Sequence, residues 1–393
     1  MRDGGRPYDV CAAVISDLPF DARVWKEARS LATHGRHVAL MGPAYDLEGA
    51  QRRRDESGVD VLEVPFGWRD RRKSYARRVG ALVRVCVEVL RTPARAYHSH
   101  DIHVGPVTWL AARLRRARLV YDGHELWGEA YDPGPRAWLM ARAGALIERW
   151  MVRRSDVVIT TNPSRADVLR ERHGREDIAV LANVPPLEEE VKPLDPGYPE
   201  GRRILLYQGW IAPEARCFRE TVQALDRVAP DVDLVILGFG WDSARDQIRG
   251  WAREAGVEDR VHFLPPRPWQ ELVSTAAAAD VGLVPIRGGP LNHTLGDTNK
   301  LHEYLMGGLP VVASDLPEIR RVVALGDPPV GELFDPSDPA TIARAVNAVL
   351  DDPEDYAARR RSARRLAEEH LNWGVEERRL VSLYDGLLDG ARP

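Results

Sequence analysis

The stretch GDTNKLHEYLMGGLPVVAS, residues 296–314, contains the strongest structural signal in this chain. Thr298 and Asn299 are favourable helix N-cap residues, and glycines such as the pair Gly307-Gly308 commonly end a helix. The apolar run 311–314 is typical of a buried strand. The stretch therefore predicts a short helix followed by a strand in the interior of an α/β protein.

The same alternation continues on both sides of this stretch. Short apolar runs alternate with longer amphipathic stretches, which is the pattern of βαβ units on a parallel sheet. We predict strands over 9–16, 37–41, 59–64, 96–100, 118–121, 157–161, 178–181, 203–208, 232–237, 261–264, 281–285 and 311–314. We predict helices over 22–34, 74–91, 104–116, 135–153, 163–173, 215–228, 243–255, 269–277, 299–307, 339–350, 353–371 and 374–388.

Residues 185–201 interrupt this alternation with a concentration of proline, glycine and glutamate, which indicates an interdomain linker. We therefore expect an N-terminal domain over 1–187, a linker over 188–201 and a C-terminal domain over 202–373. A final segment, 374–393, is expected to pack back on the first domain. The predicted fold class is α/β, with two doubly wound, Rossmann-like domains that face each other across a cleft. In such sheets ligands bind outside the carboxyl ends of the strands.

Composition narrows the class of protein further. The 393 residues fit two or three domains at about 150 residues each, and 44% apolar with 29% charged residues is ordinary for a globular protein. Three scattered cysteines, Cys11, Cys86 and Cys217, are too few for a disulfide framework or a zinc site. No apolar run approaches the ~18 residues of a membrane span, and the N-terminus does not resemble a signal peptide. We therefore expect a cytoplasmic protein.

The helix that begins near Asn299 has the chemistry of a phosphate site. Its N-terminus, approached by Gly296, offers backbone N–H groups and a positive dipole end, and Lys300 adds a charge. Glu303 lies on the same face and can accept two hydrogen bonds from vicinal hydroxyls, as on a ribose. A capped surface helix with a Lys300–Glu303 ion pair explains the local pattern equally well.

Residues 299–314 resemble the nucleotide-sugar motif of the family 4 glycosyltransferases, which have the GT-B fold. The runs SDLPFDARV (16–24), YDGHEL (121–126) and YQG (207–209) resemble three further segments of that family. These are its first strand with the following helix, its catalytic-site histidine segment and the start of its second domain. The predicted helices and strands resemble those of the family in order and length over roughly residues 8–390.

The resemblance implies retaining transfer of a sugar from a nucleotide-diphosphate donor, without a metal or other cofactor. The acceptor would be a small molecule, a glycan or a lipid-linked compound, bound by the first domain. The implied catalytic residues are His124, Arg216, Lys300 and Glu303. The implied residues for the nucleotide sugar are Gly209, Arg216, Gly296, Asp297, Thr298, Asn299, Lys300, Leu301 and Glu303. The implied acceptor-binding residues are Asp21, Arg23, His100 and Asp101.

Three positions depart from the family pattern. The family motif usually has two glutamates, and Leu295 stands at the position of the first. Trp210 follows Gly209, at a position where the family often has a basic residue. Cys217 stands at a position where a glycine is common. Leu295 and Trp210 keep one alternative open, a catalytically silent relative that acts as a scaffold. A second alternative, a GT-B-like nucleotide-sugar epimerase or a metal hydrolase, is suggested by a cluster of histidines.

A histidine cluster in the first half has two interpretations. His98 and His100 point the same way on a strand, and with His103 and His124 their spacing would suit a divalent metal in a hydrolase. The cluster also fits the end of a strand beside an acceptor. We find no further ligand set on later strands and therefore predict no metal.

Charge is distributed unevenly along the chain. Residues 1–193 carry 32 basic and 27 acidic side chains, whereas residues 194–393 carry 23 and 32. The segment 69–95 alone has nine basic residues against two acids, Asp70 and Glu88. It fits peripheral contact with an anionic membrane surface or acceptor, and it fits equally a solvated face. No motif supports nucleic-acid binding.

Overall fold

The computed structural model describes residues 7–44, 49–65, 74–128 and 135–390, without the side chains of 74–78 and 135–136. The chain divides into two compact units. The first unit runs to Asn183 and resumes at Glu376, and the second runs from Val184 to Val375. Residues 184–201, which include the predicted linker, contain neither helix nor strand.

An eight-stranded sheet lies at the centre of the first unit. Its strands are β1 (Tyr8–Ala13), β2 (Val38–Ala44), β3 (Gln51–Arg54), β4 (Asp60–Pro65), β5 (Ala94–His100), β6 (Arg118–Gly123), β7 (Val157–Thr160) and β8 (Ile178–Val180). Their order is β3-β4-β2-β1-β5-β6-β7-β8, and all neighbours are parallel except β3 and β4. The helices are α1 (Ala22–Thr33), α2 (Ser74–Arg91), α3 (Gly105–Arg115), α4 (Pro135–Arg154) and α5 (Pro163–His173).

The second unit has an all-parallel sheet of six strands. These are β9 (Arg203–Gln208), β10 (Val232–Leu237), β11 (Val261–Leu264), β12 (Val281–Val284), β13 (Val311–Ser314) and β14 (Gly331–Phe334). The order β11-β10-β9-β12-β13-β14 is 3-2-1-4-5-6 when counted within the unit, as in dinucleotide-binding folds. The strand order therefore reverses between β9 and β12, where such folds bind ligands.

Helices cover this sheet and continue beyond it. They are α6 (Phe218–Ala224), α7 (Asp242–Glu254), α8 (Leu272–Ala277), α9 (Leu291–Thr294), α10 (Asn299–Met306), α11 (Pro317–Val323), α12 (Pro339–Leu350) and α13 (Pro353–Glu369). The last helix, α14 (Trp373–Leu388), belongs to the first unit from Glu376 onward. None of the helices among the described residues is long and apolar enough to cross a membrane.

Most strands of the two sheets are buried because their sequences are apolar on both faces. Val10, Cys11 and Ala13 of β1 have no exposed surface, and every residue of β10 is buried. Short polar side chains start several helices. Asp21 accepts a hydrogen bond from the Val24 N–H (3.4 Å), and Asn162 accepts one from the Arg165 N–H (2.9 Å).

The predicted doubly wound α/β architecture is confirmed in each unit, but four of the helices and strands described above were not predicted. The edge strand β3 consists of Gln51 and three arginines, all exposed, so it has no apolar pattern. The short elements α9, α11 and β14 were also missed. The helix predicted over 215–228 begins only at Phe218, because Cys217 has a left-handed backbone (φ 46°), and it ends in a 3-10 turn at Leu225–Arg227.

Candidate active site

The residues predicted to bind a nucleotide sugar lie at the carboxyl end of the sheet in the second unit. Helix α10 begins there, after Thr298, and Lys300 in its first turn is only 8% exposed. The ammonium Nζ of Lys300 donates to Thr298 Oγ1 at 3.1 Å and lies 5.1 Å from the centre of the Tyr207 ring. A Cβ atom on Gly209 would lie 3.6 Å from that Nζ. The end of β9 and the start of α10 therefore meet at Lys300.

Arg216 brings a second positive charge to this place. Burial and the neighbouring charge of Arg216 lower the pKa of Lys300 to about 7. The guanidinium of Arg216 also interacts with the Tyr207 hydroxyl, and its buried Nε has no hydrogen-bond partner. Lys300 and Arg216 repel each other, and the Arg216 Nε–H has no acceptor. An anion bound here would reduce the repulsion and accept that hydrogen bond.

Glu303 lies one turn further along α10 and is tied to the end of β9. Gln208 Nε2 donates to Glu303 Oε2 at 2.6 Å, while Gln208 Oε1 is buried without a partner. The Tyr304 hydroxyl donates to Leu206 O and accepts from the Gln208 N–H, both at 3.0 Å. These bonds place the carboxylate at the switch in strand order, where the predicted ribose contact requires it.

The loop before α10 is held by a second pair of polar groups. Asp297 Oδ2 lies 3.0 Å from Nε2 of the buried His302, so the Asp297 side chain braces the loop that contains Gly296. Leu301, in contrast, is fully buried, and its backbone N–H donates to Thr298 O at 2.9 Å. The predicted ligand contact of Leu301 is therefore not supported, because its side chain packs in the core and its N–H closes a turn.

In the first unit, His124 follows β6 and is held between two carboxylates. Its Nε2 lies 2.9 Å from Asp122 Oδ2, and its Nδ1 lies 3.5 Å from Asp101 Oδ2. Asp101 has a left-handed backbone (φ 60°), and its Oδ1 accepts from the His124 backbone N–H at 3.0 Å. Burial opposes a charge on the ring, but Asp101 and Asp122 together raise the pKa of His124 to about 9. His124 is therefore an imidazolium at neutral pH.

Arg23 holds Asp122 from the other side. Its Nε and Nη2 donate to the two oxygens of Asp122, both at 2.9 Å, and its Nη1 donates to Leu181 O at 2.8 Å. Burial disfavours the ionised carboxyl, yet Arg23 and His124 keep the pKa of Asp122 well below its usual range. The pair is bidentate and completely enclosed, so it fixes the position of His124.

The four residues predicted to bind the acceptor are not equally accessible. Arg23 is 3% exposed and His100 1% exposed, and both contact Asp122 inside the unit. This is a correction, since buried groups whose polar atoms are engaged do not reach an acceptor. Asp21 and Asp101 are partly exposed and remain acceptor-binding candidates.

The histidine cluster forms a buried network in which Arg23 supplies the positive charge. Glu27, His98, His100 and Asp122 bring ligating atoms within 4.8 Å of one another. However, the Arg23 Nε lies 3.1 Å from Glu27 and 2.9 Å from Asp122, and burial raises the pKa of the Glu27 carboxyl to about 8, so Asp122 carries the negative charge that Arg23 balances. On the far side, the Tyr384 hydroxyl of α14 is 2.9 Å from His98 Nδ1. The cluster therefore already contains a cation of the chain itself, Arg23.

Three residues of the site, Asp122, Gln208 and Tyr304, were not predicted from the sequence. The first two are polar residues at the carboxyl ends of otherwise apolar strands. A polar residue at the end of an apolar strand could have indicated a functional role, because burying a polar group without a hydrogen-bond partner costs free energy. Nothing local distinguishes Tyr304, whose role depends on a contact with β9, 96 residues earlier in the chain.

Comparison with known proteins assigns the two halves to related families. Residues 21–184 match the family described as glycosyl transferase 4-like domain, and residues 202–352 match glycosyl transferases group 1. D-inositol 3-phosphate glycosyltransferase of Corynebacterium glutamicum is 28% identical over 308 residues, covering 73% of this chain and 71% of that protein. Glycogen synthase of Mycobacterium tuberculosis is 27% identical over 301 residues, covering 75% and 69%.

Two solved structures share the fold across nearly the whole chain. Sucrose-phosphate synthase from Thermosynechococcus elongatus superposes with a TM-score of 0.79 at 19% identity, covering 97% of this chain and 99% of that one. Anabaena HepE in complex with UDP and glucose has a TM-score of 0.66 at 15% identity, covering 97% and 100%. These similarities confirm the GT-B fold predicted from the sequence.

Proposed function

Because this chain belongs to the family 4-like glycosyltransferases of the GT-B fold, we propose that it moves a sugar from a nucleotide-diphosphate donor to an acceptor hydroxyl. The proposal includes retention of configuration at the transferred carbon and independence of metal ions. The second unit binds the donor, and the first unit supplies His124 and the acceptor site. The observation that carries the proposal is the pair of neighbouring cations, the buried Lys300 beside Gly209 and the half-buried Arg216.

The diphosphate binds at these two cations. A nucleoside diphosphate brings negative charge to a place where Lys300 and Arg216 repel each other, so binding relieves the repulsion. The guanidinium can grip two phosphate oxygens, and the glycine lets the backbone approach them closely. Lys300 regains its proton when the anion arrives, because a nearby negative charge favours the ammonium form.

Glu303 binds the ribose. Gln208 Nε2 donates to its Oε2 at 2.6 Å, which orients the carboxylate, and a carboxylate can accept hydrogen bonds from two vicinal ribose hydroxyls. The adjacent unpartnered Gln208 Oε1 is a further acceptor at the same place. Such bonds to a charged acceptor are stronger than neutral ones.

His124 orients the transferred sugar. Its Nε2–H is directed at Asp122 and its Nδ1 lies 3.5 Å from Asp101, so a sugar oxygen shares the Nδ1–H with Asp101 while the ring is charged. The side chain is 18% exposed, so part of the ring is accessible. Asp21 and Asp101 lie in the same unit as candidates for the acceptor hydroxyls.

The reaction breaks the bond between the sugar carbon and the diphosphate oxygen, and the acceptor oxygen forms the new bond. The nucleoside diphosphate leaves with increased negative charge, which Lys300 and Arg216 stabilise more strongly than they stabilise the intact donor. The proton released by the acceptor hydroxyl leaves with the product phosphate or passes to solvent. Two fixed cations perform the charge stabilisation that a divalent metal supplies in other phosphate sites.

The names of the relatives indicate a substrate class. D-inositol 3-phosphate glycosyltransferase and glycogen synthase are both named for transfer to a polyhydroxylated acceptor. HepE has been solved with UDP-glucose bound. We accordingly propose a carbohydrate or cyclitol hydroxyl as the acceptor and a uridine diphosphate sugar as the first donor to assay.

The test is donor turnover in the Arg216→Ala and Glu303→Ala variants, with Arg219→Ala as a matched control. Arg219 is an exposed arginine three residues from Arg216. We expect each site variant to lose about 100-fold in turnover, as when one stabilising donor is removed from an active site. The control should stay within about twofold of wild type. Near-wild-type turnover in both site variants would contradict the assignment, and activity abolished by a chelator and restored by a divalent ion would contradict metal independence.

A further inference from the structure

The outer side of three neighbouring helices in the first unit carries a concentration of exposed apolar side chains. Helix α3 packs between α2 and α4 on one side of the sheet. Of the sixteen large hydrophobic residues that are exposed among the described residues, eight lie on these three helices. They are Val79, Val83, Leu110, Leu114, Trp138, Leu139, Met140 and Leu146, each 40–68% exposed. We call this surface the α2–α4 face.

The α2–α4 face is also strongly cationic. It carries seven exposed arginines, which are Arg84, Arg91, Arg113, Arg142, Arg149, Arg153 and Arg154. The three helices contain only two carboxylates, and both are engaged elsewhere. Glu88 pairs with Arg52 at 2.5 Å, and Glu148 is 1% exposed and lies 2.9 Å from His173. No acid of these helices therefore neutralises the arginines.

The face is built on a rigid base. Trp109 of α3 and Trp150 of α4 are in contact, with ring centres 4.8 Å apart. A Cβ atom on Gly105 would lie 2.8 Å from Met151 Sδ, so the two helices approach closely. Arg142 lies over the Trp138 ring at 4.7 Å, so a charge and an exposed aromatic are presented together.

We propose that the α2–α4 face docks on an anionic lipid bilayer. Apolar side chains that enter the headgroup boundary and arginines that meet anionic lipids are the two contributions that hold a peripheral protein on a membrane. The surface is wider than the basic segment 69–95 highlighted by the sequence, of which 69–73 lie outside the described residues. The proposal does not depend on the reaction assigned above.

Two other partners, a second copy of the chain and a nucleic acid, fit the α2–α4 face less well. A twofold dimer would place this surface against its own copy, and seven arginines would then oppose seven arginines. Nucleic acid would satisfy the arginines but would leave the exposed leucines and the methionine without an apolar partner. Of these three partners, an anionic bilayer alone offers both negative charge and an apolar interior to the same surface.

The experiment is co-sedimentation of the full chain with vesicles of phosphatidylcholine, with and without about 30% phosphatidylglycerol. We expect binding to the anionic vesicles, little binding to the neutral ones, and weakening at about 0.5 M salt, where surface charges are screened. Arg113→Gln and Arg149→Gln should each lower the partition coefficient about fivefold, the effect of one basic residue near such a surface. Leu114→Ser and Leu139→Ser should lower it by a similar factor.

Matched controls come from the second unit. Leu325→Ser and Arg361→Gln remove an exposed leucine and an exposed arginine, and both should leave vesicle binding unchanged. Circular dichroism checks that every variant is folded, which we expect because all these positions are exposed. Equal binding to neutral and anionic vesicles, no binding to either, or a dimer that Leu114→Ser dissociates would each overturn the proposal.

Discussion

Lys300 and His124 show how single residues acquire their chemistry from distant neighbours. Burial and Arg216 lower the pKa of Lys300 to about 7, whereas Asp101 and Asp122 raise the pKa of His124 to about 9. At neutral pH the histidine is therefore charged, and the lysine is divided between its two forms. Each pKa shift suits the proposed role, because Lys300 takes up a proton when it binds the diphosphate and the charged His124 ring donates a hydrogen bond to the sugar.

The lowered pKa of Lys300 predicts that donor binding weakens as the pH rises. Above pH 7 an increasing fraction of free protein has a neutral amine, which must take up a proton before it pairs with the diphosphate. The dissociation constant of UDP should therefore rise roughly tenfold between pH 7 and 8.5, since each pH unit beyond the pKa costs up to tenfold. Isothermal titration calorimetry measures the constant and the proton uptake.

The control for this experiment is Lys300→Arg, because arginine stays charged throughout this range. Its UDP affinity should change little between pH 7 and 8.5. An affinity of the wild-type protein that is equally flat would show that Lys300 does not titrate with the donor.

At the scale of elements, α10 is positioned by a contact between its own Tyr304 and two strands. The hydroxyl bonds to the backbone of Leu206 and Gln208 in β9, and the ring covers Gly282 in β12. The helix has only eight residues, too few to be stable alone, so its orientation depends on this packing. Both Lys300 and Glu303 take their positions from it.

A pair of glycine substitutions tests this dependence. A Cβ atom on Gly282 would lie 2.4 Å from Tyr304 Cδ2, so Gly282→Ala should overpack the contact and lower the free energy of unfolding by about 2 kcal/mol. Gly250→Ala in α7 has no atom within 4 Å of the added carbon and should raise that free energy by about 0.5–1 kcal/mol. Urea denaturation followed by circular dichroism measures both.

The UDP affinity of the same two variants distinguishes a displaced α10 from a change in overall stability. UDP affinity should fall in Gly282→Ala, because Lys300 and Glu303 shift with α10, and should stay unchanged in Gly250→Ala. Equal stability of the two variants would show that Tyr304 moves freely and does not position the helix.

At the scale of the whole molecule, the first unit is assembled from two separate parts of the chain, whereas the second is one continuous segment. The first unit recruits residues from Glu376 onward, of which Leu380 and Tyr384 are buried. Arg36 forms ion pairs with Asp385 and Asp389, and Tyr384 bonds to His98 in the network that holds Asp122. The end of α14 is therefore part of the structure that supports His124.

Removal of residues 376–393 should consequently affect the two units differently. The first unit loses buried side chains and the Tyr384–His98 bond, so sugar transfer should fall by more than about 100-fold through local unfolding. The second unit keeps all its residues, so UDP affinity should stay within about threefold of wild type. A chain ending at Gly390 is the control, and simultaneous loss of UDP binding would contradict independent completion of the units.

Local sequence signals were sufficient to predict most elements and the fold. The strands β9, β10 and β13 were predicted with their observed ends, because a strand buried on both faces has a nearly continuous apolar sequence. The N-cap at Thr298 and the glycines after Met306 similarly located α10. Edge strand β3 was missed, because an exposed strand needs no apolar residue.

The electrostatic state of the candidate site depended on contacts that no local pattern contains. Arg23 and His100 were expected to bind the acceptor, but both are buried around Asp122, a partner 99 residues from Arg23. Likewise, the approach of Arg216 to Lys300 changes the charge of that lysine although 84 positions separate the two. Periodicity and capping depend on neighbours along the chain, whereas burial and Coulomb interactions depend on distance in space, so only the folded chain could decide them.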